Sequence, residues 1–110
     1  MKRGDVVVTV VQGDHGKPRP AVIVQTDAMN AAHPTVLVCL ISSELTDHEF
    51  RLTLPPDSAT GLRVASQIMT DKLHAVRREK IGQRIGALGP EQVSLLGRKL
   101  VAVLGLSSHA

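Results

Sequence analysis

Val36-Leu37-Val38-Cys39-Leu40-Ile41 is the most apolar stretch of the chain, and Ser42-Ser43-Glu44 follows it directly. It is six residues long, rich in β-branched side chains and preceded by Pro34, which together read as a β-strand. The same pattern recurs on its N-terminal side as Ala21-Val22-Ile23-Val24 and, earlier still, Val6-Val7-Val8-Thr9-Val10-Val11. On its C-terminal side Phe50, Leu52 and Leu54 alternate with Arg51 and Thr53, the period of two expected of a half-buried strand, and Pro55-Pro56-Asp57 stops it. Further extended pieces are expected over 63–69, 73–76 and 81–88. The ending is different. Gly89-Pro90-Glu91 suits a helix start, with proline in the first turn and an acid beside it. Val93, Leu96, Leu100 and Val103/Leu104 then recur at steps of three and four, an apolar stripe expected to be core, and Gly105 is placed to cap the helix. Short strands joined by short connections favour an antiparallel, barrel-like sheet over parallel βαβ units, so the expectation is a mainly β fold closed by one C-terminal α-helix.

Composition narrows the class. A length of 110 residues suffices for one core and not for two ordinary ones, so a single domain over 1–110 is expected. With 43% hydrophobic and 21% charged residues the chain is expected to be globular, and no apolar run approaches the roughly 20 residues that cross a bilayer. The valine run after Met1-Lys2-Arg3-Gly4-Asp5 is too short for an export signal. The lone Cys39 has no partner for an internal disulfide and reads as a buried thiol, which fits the reducing cytoplasm.

Charge is unevenly placed. Residues 1–60 hold five Lys/Arg against seven Asp/Glu, a balance of −2, and residues 61–110 hold eight against three, a balance of +5. A basic half favours a polyanionic partner, although it also suits an ordinary solvated face. With no Trp, no Tyr and only Phe50, stacking of bases on aromatic platforms is essentially unavailable. Any RNA recognition must then use hydrogen bonds, arginine planes and phosphate contacts. The histidines (His15, His33, His48, His74 and His109) and Cys39 show no metal-ligand spacing, so no metal and no cofactor is expected.

Three polar clusters remain. Gly13-Asp14-His15-Gly16-Lys17-Pro18-Arg19-Pro20 is a loop whose Arg19 can present a fork of donors to a phosphate, or can be a solvated turn residue. Ser42-Ser43-Glu44 places hydroxyls at a strand end, where they can also close the strand by local backbone hydrogen bonds. Ser66-Gln67-Ile68-Met69-Thr70-Asp71-Lys72 opens with two polar residues and ends on an Asp-Lys pair that is, alone, an ordinary exposed pair.

In this order and spacing the segments resemble the MazF/PemK toxin family. The carriers are Lys2-Arg3-Gly4-Asp5-Val6, the run from Gly16 through Arg19-Pro20 to Val24, Val38-Cys39-Leu40-Ile41-Ser42-Ser43-Glu44, Gly61-Leu62-Arg63 with Ser66 through Leu73, Ile85-Gly86-Ala87-Leu88 and the closing helix. The resemblance implies a small SH3-like antiparallel barrel acting as a homodimer. It implies sequence-specific cleavage of single-stranded RNA without a metal, leaving a 2′,3′-cyclic phosphate and a 5′-hydroxyl. Inhibition of translation and neutralisation by a cognate antitoxin protein go with that activity, and no membrane partner does.

Such chemistry needs a proton acceptor for the 2′-OH, a proton for the leaving 5′-oxygen, and donors to hold the phosphorane. The resemblance maps Arg19, Ser42 and Asp71 to the catalytic positions. Arg19 suits a phosphorane clamp and not a base, since a guanidinium is donor-only and stays charged in proteins. Ser42 would donate to a non-bridging oxygen. Asp71 is the candidate carboxylate, but relatives that use an acid here carry an arginine two residues earlier, where this chain has Met69. Lys72, Arg63 or His74 could supply that cation instead. A loop histidine of some relatives lies farther from the Arg-Pro pair than His15 does, so no catalytic role transfers to His15. The RNA-facing set is His15, Lys17, Ser43, Glu44, Arg63, Ser66, Gln67, Lys72 and His74, with the loop 13–18 and the stretch 44–49 expected to choose the cut sequence. A gyrase poison of the CcdB kind would need a tryptophan-containing tail that this chain lacks. A non-catalytic binding barrel would not need to keep Arg19, Ser42 and Asp71 together.

Overall fold

The computed structural model describes residues 1–13 and 15–106; Asp14 of the first loop, His109 and the rest of the end beyond Leu106 lie outside the described residues. Six strands form one antiparallel sheet: β1 Asp5–Thr9, β2 Arg19–Ile23, β3 Thr35–Ser42, β4 Arg51–Leu54, β5 Ser66–Arg77 and β6 Ile81–Ala87. Their spatial order is β4-β5-β3-β2-β1-β6. The short helix α1 Asp27–Asn30 joins β2 to β3, a 3-10 turn Arg78–Lys80 joins β5 to β6, and α2 Pro90–Val103 closes the chain.

The valine run predicted as β1 leaves the ladder after Thr9, although Val11 stays buried. The two extended pieces expected over 63–69 and 73–76 are one strand, β5, carrying an irregularity in its middle. Neither α1 nor the 3-10 turn was anticipated, because four and three residues are too short for a periodic signal.

Apolar side chains fill both faces of the curled sheet. Val6, Val22, Cys39, Ile41, Leu52, Leu54 and Ile68 form one core with Leu96 and Leu100 of α2, and Val93 packs against it. Val7, Ala21, Ile23, Val36, Val38, Leu40, Met69 and Val76 form the other. The stripe expected on α2 is therefore core through Leu100, while Leu104 at its end is 52% exposed. Gly105, at φ +67°, ends the helix: its N–H donates to Ala102 and that of Leu106 to Val101, which occupies carbonyls the last turn would leave unpaired.

The barrel has an open seam. β4 and β6 are the two edges, and no ladder joins them. The turn 57–62 fills the gap, with the Ala87 N–H donating to the Ala59 carbonyl at 2.9 Å. The approach is so close that a Cβ on Gly86 would meet the Thr60 carbonyl carbon at 2.3 Å, and one on Gly61 the Ile85 oxygen at 2.2 Å. Glycine is required on both sides of this seam.

Candidate functional site

Strand register brings the distant polar clusters together. Ala21, Val22 and Ile23 of β2 pair with Leu40, Cys39 and Val38 of β3; the ladder ends there, and the same register carried two residues further leads Arg19 toward Ser42. Ser42 pairs with Gln67 on β5, and Gln67 with Thr53 on β4. Side chains alternate along a strand, so these residues share the face of Ala21 and Leu40. Arg19, Ser42, Gln67 and Thr53 thus make one polar row across four strands, at the rim of the second core.

The row is held from inside by a buried amide. Gln67 Nε2 donates to the Thr46 carbonyl at 2.9 Å and to Thr53 Oγ1 at 3.1 Å, and Oε1 accepts from the Thr46 N–H at 3.0 Å. Gln67 is only 4% exposed. Ser66 is 3% exposed and spends its hydroxyl on the Val64 carbonyl. Both were expected to face RNA; the fold instead buries them, and Gln67 pins the loop that carries the exposed Ser43 and Glu44. Half-buried Ser42 accepts the Glu44 N–H on its Oγ at 3.0 Å, the local strand-closing bond its position allows. That bond uses an acceptor lone pair and leaves the hydroxyl proton to donate elsewhere.

Asp71 owes its place to the irregularity in β5. Ile68 pairs with Ile41 and Leu73 with Cys39, so residues 69–72 all stand opposite the single residue Leu40. Such a bulge bends the strand and re-aims its side chains. Thr70 fastens it: its N–H donates to the Phe50 carbonyl at 3.2 Å, and its hydroxyl donates to the same oxygen. Asp71 is left facing Arg51 of β4, whose Nε lies 3.3 Å from Oδ1, with the two side chains 29% and 14% exposed respectively. Arg51 pairs across the ladder with Met69. Asp71 thus has a cation of the neighbouring strand as its ion-pair partner, and Lys72, Arg63 and His74 form no ion pair with it. The alternation of Arg51 with Leu52 put it on a polar face in sequence; its pairing with a bulge could not be read there.

Burial, with a smaller contribution from the negative charge of Asp71, pushes the Cys39 thiol up to about 12. At neutral pH Cys39 is a protonated core side chain and no nucleophile.

A second feature adjoins this rim. A cleft of about 760 Å³ lies between the loop after β1 (Val10, Val11, Gln12, Gly13, His15, Gly16) and the end of β5 (His74, Ala75, Val76, Arg77), with Lys80 beside it. His15 takes the left-handed conformation, φ +53°. His74 pairs with Val38, four residues along β3 from Ser42, which puts the cleft about 13 Å from the Arg19–Ser42 row. Arg77 and Lys80, which the sequence did not single out, bring the basic half of the chain to this cleft. Exposed Lys17 follows the loop, exposed Lys72 sits in the bulge, and exposed Arg63 lies before β5 and outside the cleft. Among the described residues no group of three His, Cys, Asp or Glu gathers to hold a metal ion. No helix among the described residues is long and apolar enough to cross a membrane.

A guanidinium, a hydroxyl and an ion-paired carboxylate on one sheet face can hold a phosphate and accept a proton. Comparison with known proteins bears on what such a face serves. The chain is 32% identical over 108 residues to a protein named probable endoribonuclease MazF from Mycolicibacterium smegmatis, covering 97% of this chain and 99% of that one. Its fold matches that of a mycobacterial endoribonuclease solved with its cognate antitoxin, at a TM-score of 0.83 and 17% identity over 97% of both chains. It also matches the Mycobacterium tuberculosis toxin MazF-mt6, at 0.82 and 18% over 94% and 98% of the chains, and a MazE–MazF structure from Deinococcus radiodurans, at 0.79 and 20% over 97% of both. Residues 2–104 match the family described as PemK-like, MazF-like toxins of type II toxin–antitoxin systems, so nearly every element from β1 to α2 is part of the likeness and the chain belongs to that family.

Proposed function

We propose that the chain is an endoribonuclease toxin that cuts single-stranded RNA by transesterification, without a metal ion. What supports this reading is that β2 runs against β3 in a register that leads from Ala21–Leu40 toward Arg19 and Ser42, on the sheet where Asp71 meets Arg51. The Asp71 carboxylate takes the proton of a ribose 2′-OH, whose oxygen forms a new bond to the adjacent phosphorus. Arg19 holds the charged phosphorane with its fixed fork of donors, and Ser42 donates to a non-bridging oxygen. The bond from phosphorus to the 5′-oxygen breaks, and that oxygen takes a proton from solvent at the open rim. The products are a 2′,3′-cyclic phosphate and a 5′-hydroxyl.

The basic cleft of His15, His74, Arg77 and Lys80 binds the neighbouring stretch of the strand, with Lys17 and Lys72 at its approaches. Ser43, Glu44 and the loop pinned by Gln67 read the bases by hydrogen bonds, since the chain has no Trp or Tyr on which to stack them. Cleavage of messenger RNA halts translation in the cytoplasm. A cognate antitoxin, as found with the related structures, covers the same basic face, and two copies of the chain form the working unit.

The test is to incubate purified protein with a mixed-sequence RNA in excess EDTA and to sequence the 5′-hydroxyl ends. Cuts at one short sequence, unchanged by the chelator and bearing cyclic phosphates upstream, are expected. Activity that disappears with EDTA and returns with a divalent cation would overturn the metal-free reading.

A further inference from the structure

We infer that Arg51 is a positioning residue for Asp71, so that a carboxylate on β5 and a guanidinium on β4 work as one unit; this deepens the ribonuclease reading and rests on it. The geometry has three parts. First, Arg51 Nε lies 3.3 Å from Asp71 Oδ1, within ion-pair distance, while Nε makes no aligned hydrogen bond and is shut off from water. The attraction is one of charge and does not depend on a single directed bond. It leaves Oδ2 of Asp71 uncommitted, the oxygen a base needs free.

Second, the two partners are fixed by backbone. Arg51 begins β4 and pairs with Met69, and Thr70 ties the bulge to the Phe50 carbonyl, the residue immediately before Arg51. The two strands are thus joined through Met69 and Thr70, immediately before Asp71. A carboxylate on a bulge would otherwise sample many rotamers, and each lost rotamer is orientation gained for the reacting oxygen.

Third, the pair is ill suited to a purely stabilising role. Arg51 is largely covered and Asp71 substantially open, so the desolvation of one charge is set against attraction in a partly aqueous setting. The arrangement makes better sense as a cation that aims a solvent-facing carboxylate at the rim shared with Arg19 and Ser42.

A kinetic double-mutant cycle tests the inference: the parent, Arg51→Met, Asp71→Asn and the double variant, each checked for folding by circular dichroism. Arg51→Met should lower kcat about 10- to 100-fold with KM little changed, and Asp71→Asn should lower it further. The double variant should be no slower than Asp71→Asn alone, since a guanidinium that acts only through the carboxylate has nothing left to act on. Effects that multiply independently, or an Arg51→Met protein that cuts at the parental rate, overturn the inference. A parent that cuts no RNA overturns the ribonuclease reading itself, and the inference falls with it. Should Arg51→Met not fold, the exchange Arg51→Met with Met69→Arg decides. It returns a guanidinium to the same cross-strand pair, and folded protein within about tenfold of parental turnover supports positioning. Turnover no better than that of Asp71→Asn overturns it.

Discussion

Arg19 occupies the first position of β2, half-buried and paired across the ladder with Thr9. Removing that side chain takes away the fork of donors and leaves the ladder intact. Arg19→Ala should therefore cut turnover by about 10²- to 10³-fold, as losing an oxyanion donor does, with the melting temperature little altered. Single-turnover cleavage beside a thermal melt measures both. Cys39 gives a second residue-level expectation. Its thiol ionises near 9.0 when unfolded and near 12 when folded, because burial penalises the thiolate and Asp71 repels it. Between those values the folded chain binds more protons than the unfolded chain, so stability falls as pH rises through 9 and is unaffected by this group below it. Thermal melts from pH 7 to 11 should show that decline in the parent and a much flatter profile in Cys39→Ala.

At the scale of elements, the seam between β4 and β6 is the feature most exposed to a small change. The turn 57–62 stands where a sixth ladder would close the barrel, and it fits only because Gly86 has no side chain. A methyl there would sit 2.3 Å from the Thr60 carbonyl carbon, so the turn must move and the Ala87-to-Ala59 hydrogen bond must stretch. Gly86→Ala should destabilise the fold by about 2–4 kcal/mol, read from urea unfolding. The strands themselves were legible in sequence because each apolar run ends in a breaker, and the helix because its stripe has the helical period. The bulge was not. Residues 66–77 read as two extended pieces, and nothing in Met69-Thr70-Asp71-Lys72 announces that four residues will face Leu40.

Across the whole molecule, charge and shape meet at the cleft beside the rim. The +5 balance of residues 61–110 is not spread evenly, since Arg77 and Lys80 stand with His15 and His74 around one cavity. If these cations hold RNA phosphates, Arg77→Ala with Lys80→Ala should weaken binding of many RNA sequences to a similar degree. It should also reduce the slope of log K against log salt by about 0.7 for each lost phosphate contact. Fluorescence anisotropy of a labelled, uncleavable RNA at several salt concentrations measures it; an unchanged slope would remove the cleft from the binding surface.

The family resemblance pointed to Arg19, Ser42 and Asp71, and local chemistry by itself determined the strand inventory, the closing helix with its glycine cap and the buried thiol. These follow from periodicity, breakers and residue type, which act over a few positions of chain. Only the tertiary structure decided which residues share a face. The register of β2 on β3 leads Arg19 toward the Ser42 end of β3, the bulge delivers Asp71 to Arg51, and Ser66 and Gln67 turn inward. A single residue of slippage would send each side chain to the opposite face, and register is fixed by packing between strands far apart in the chain.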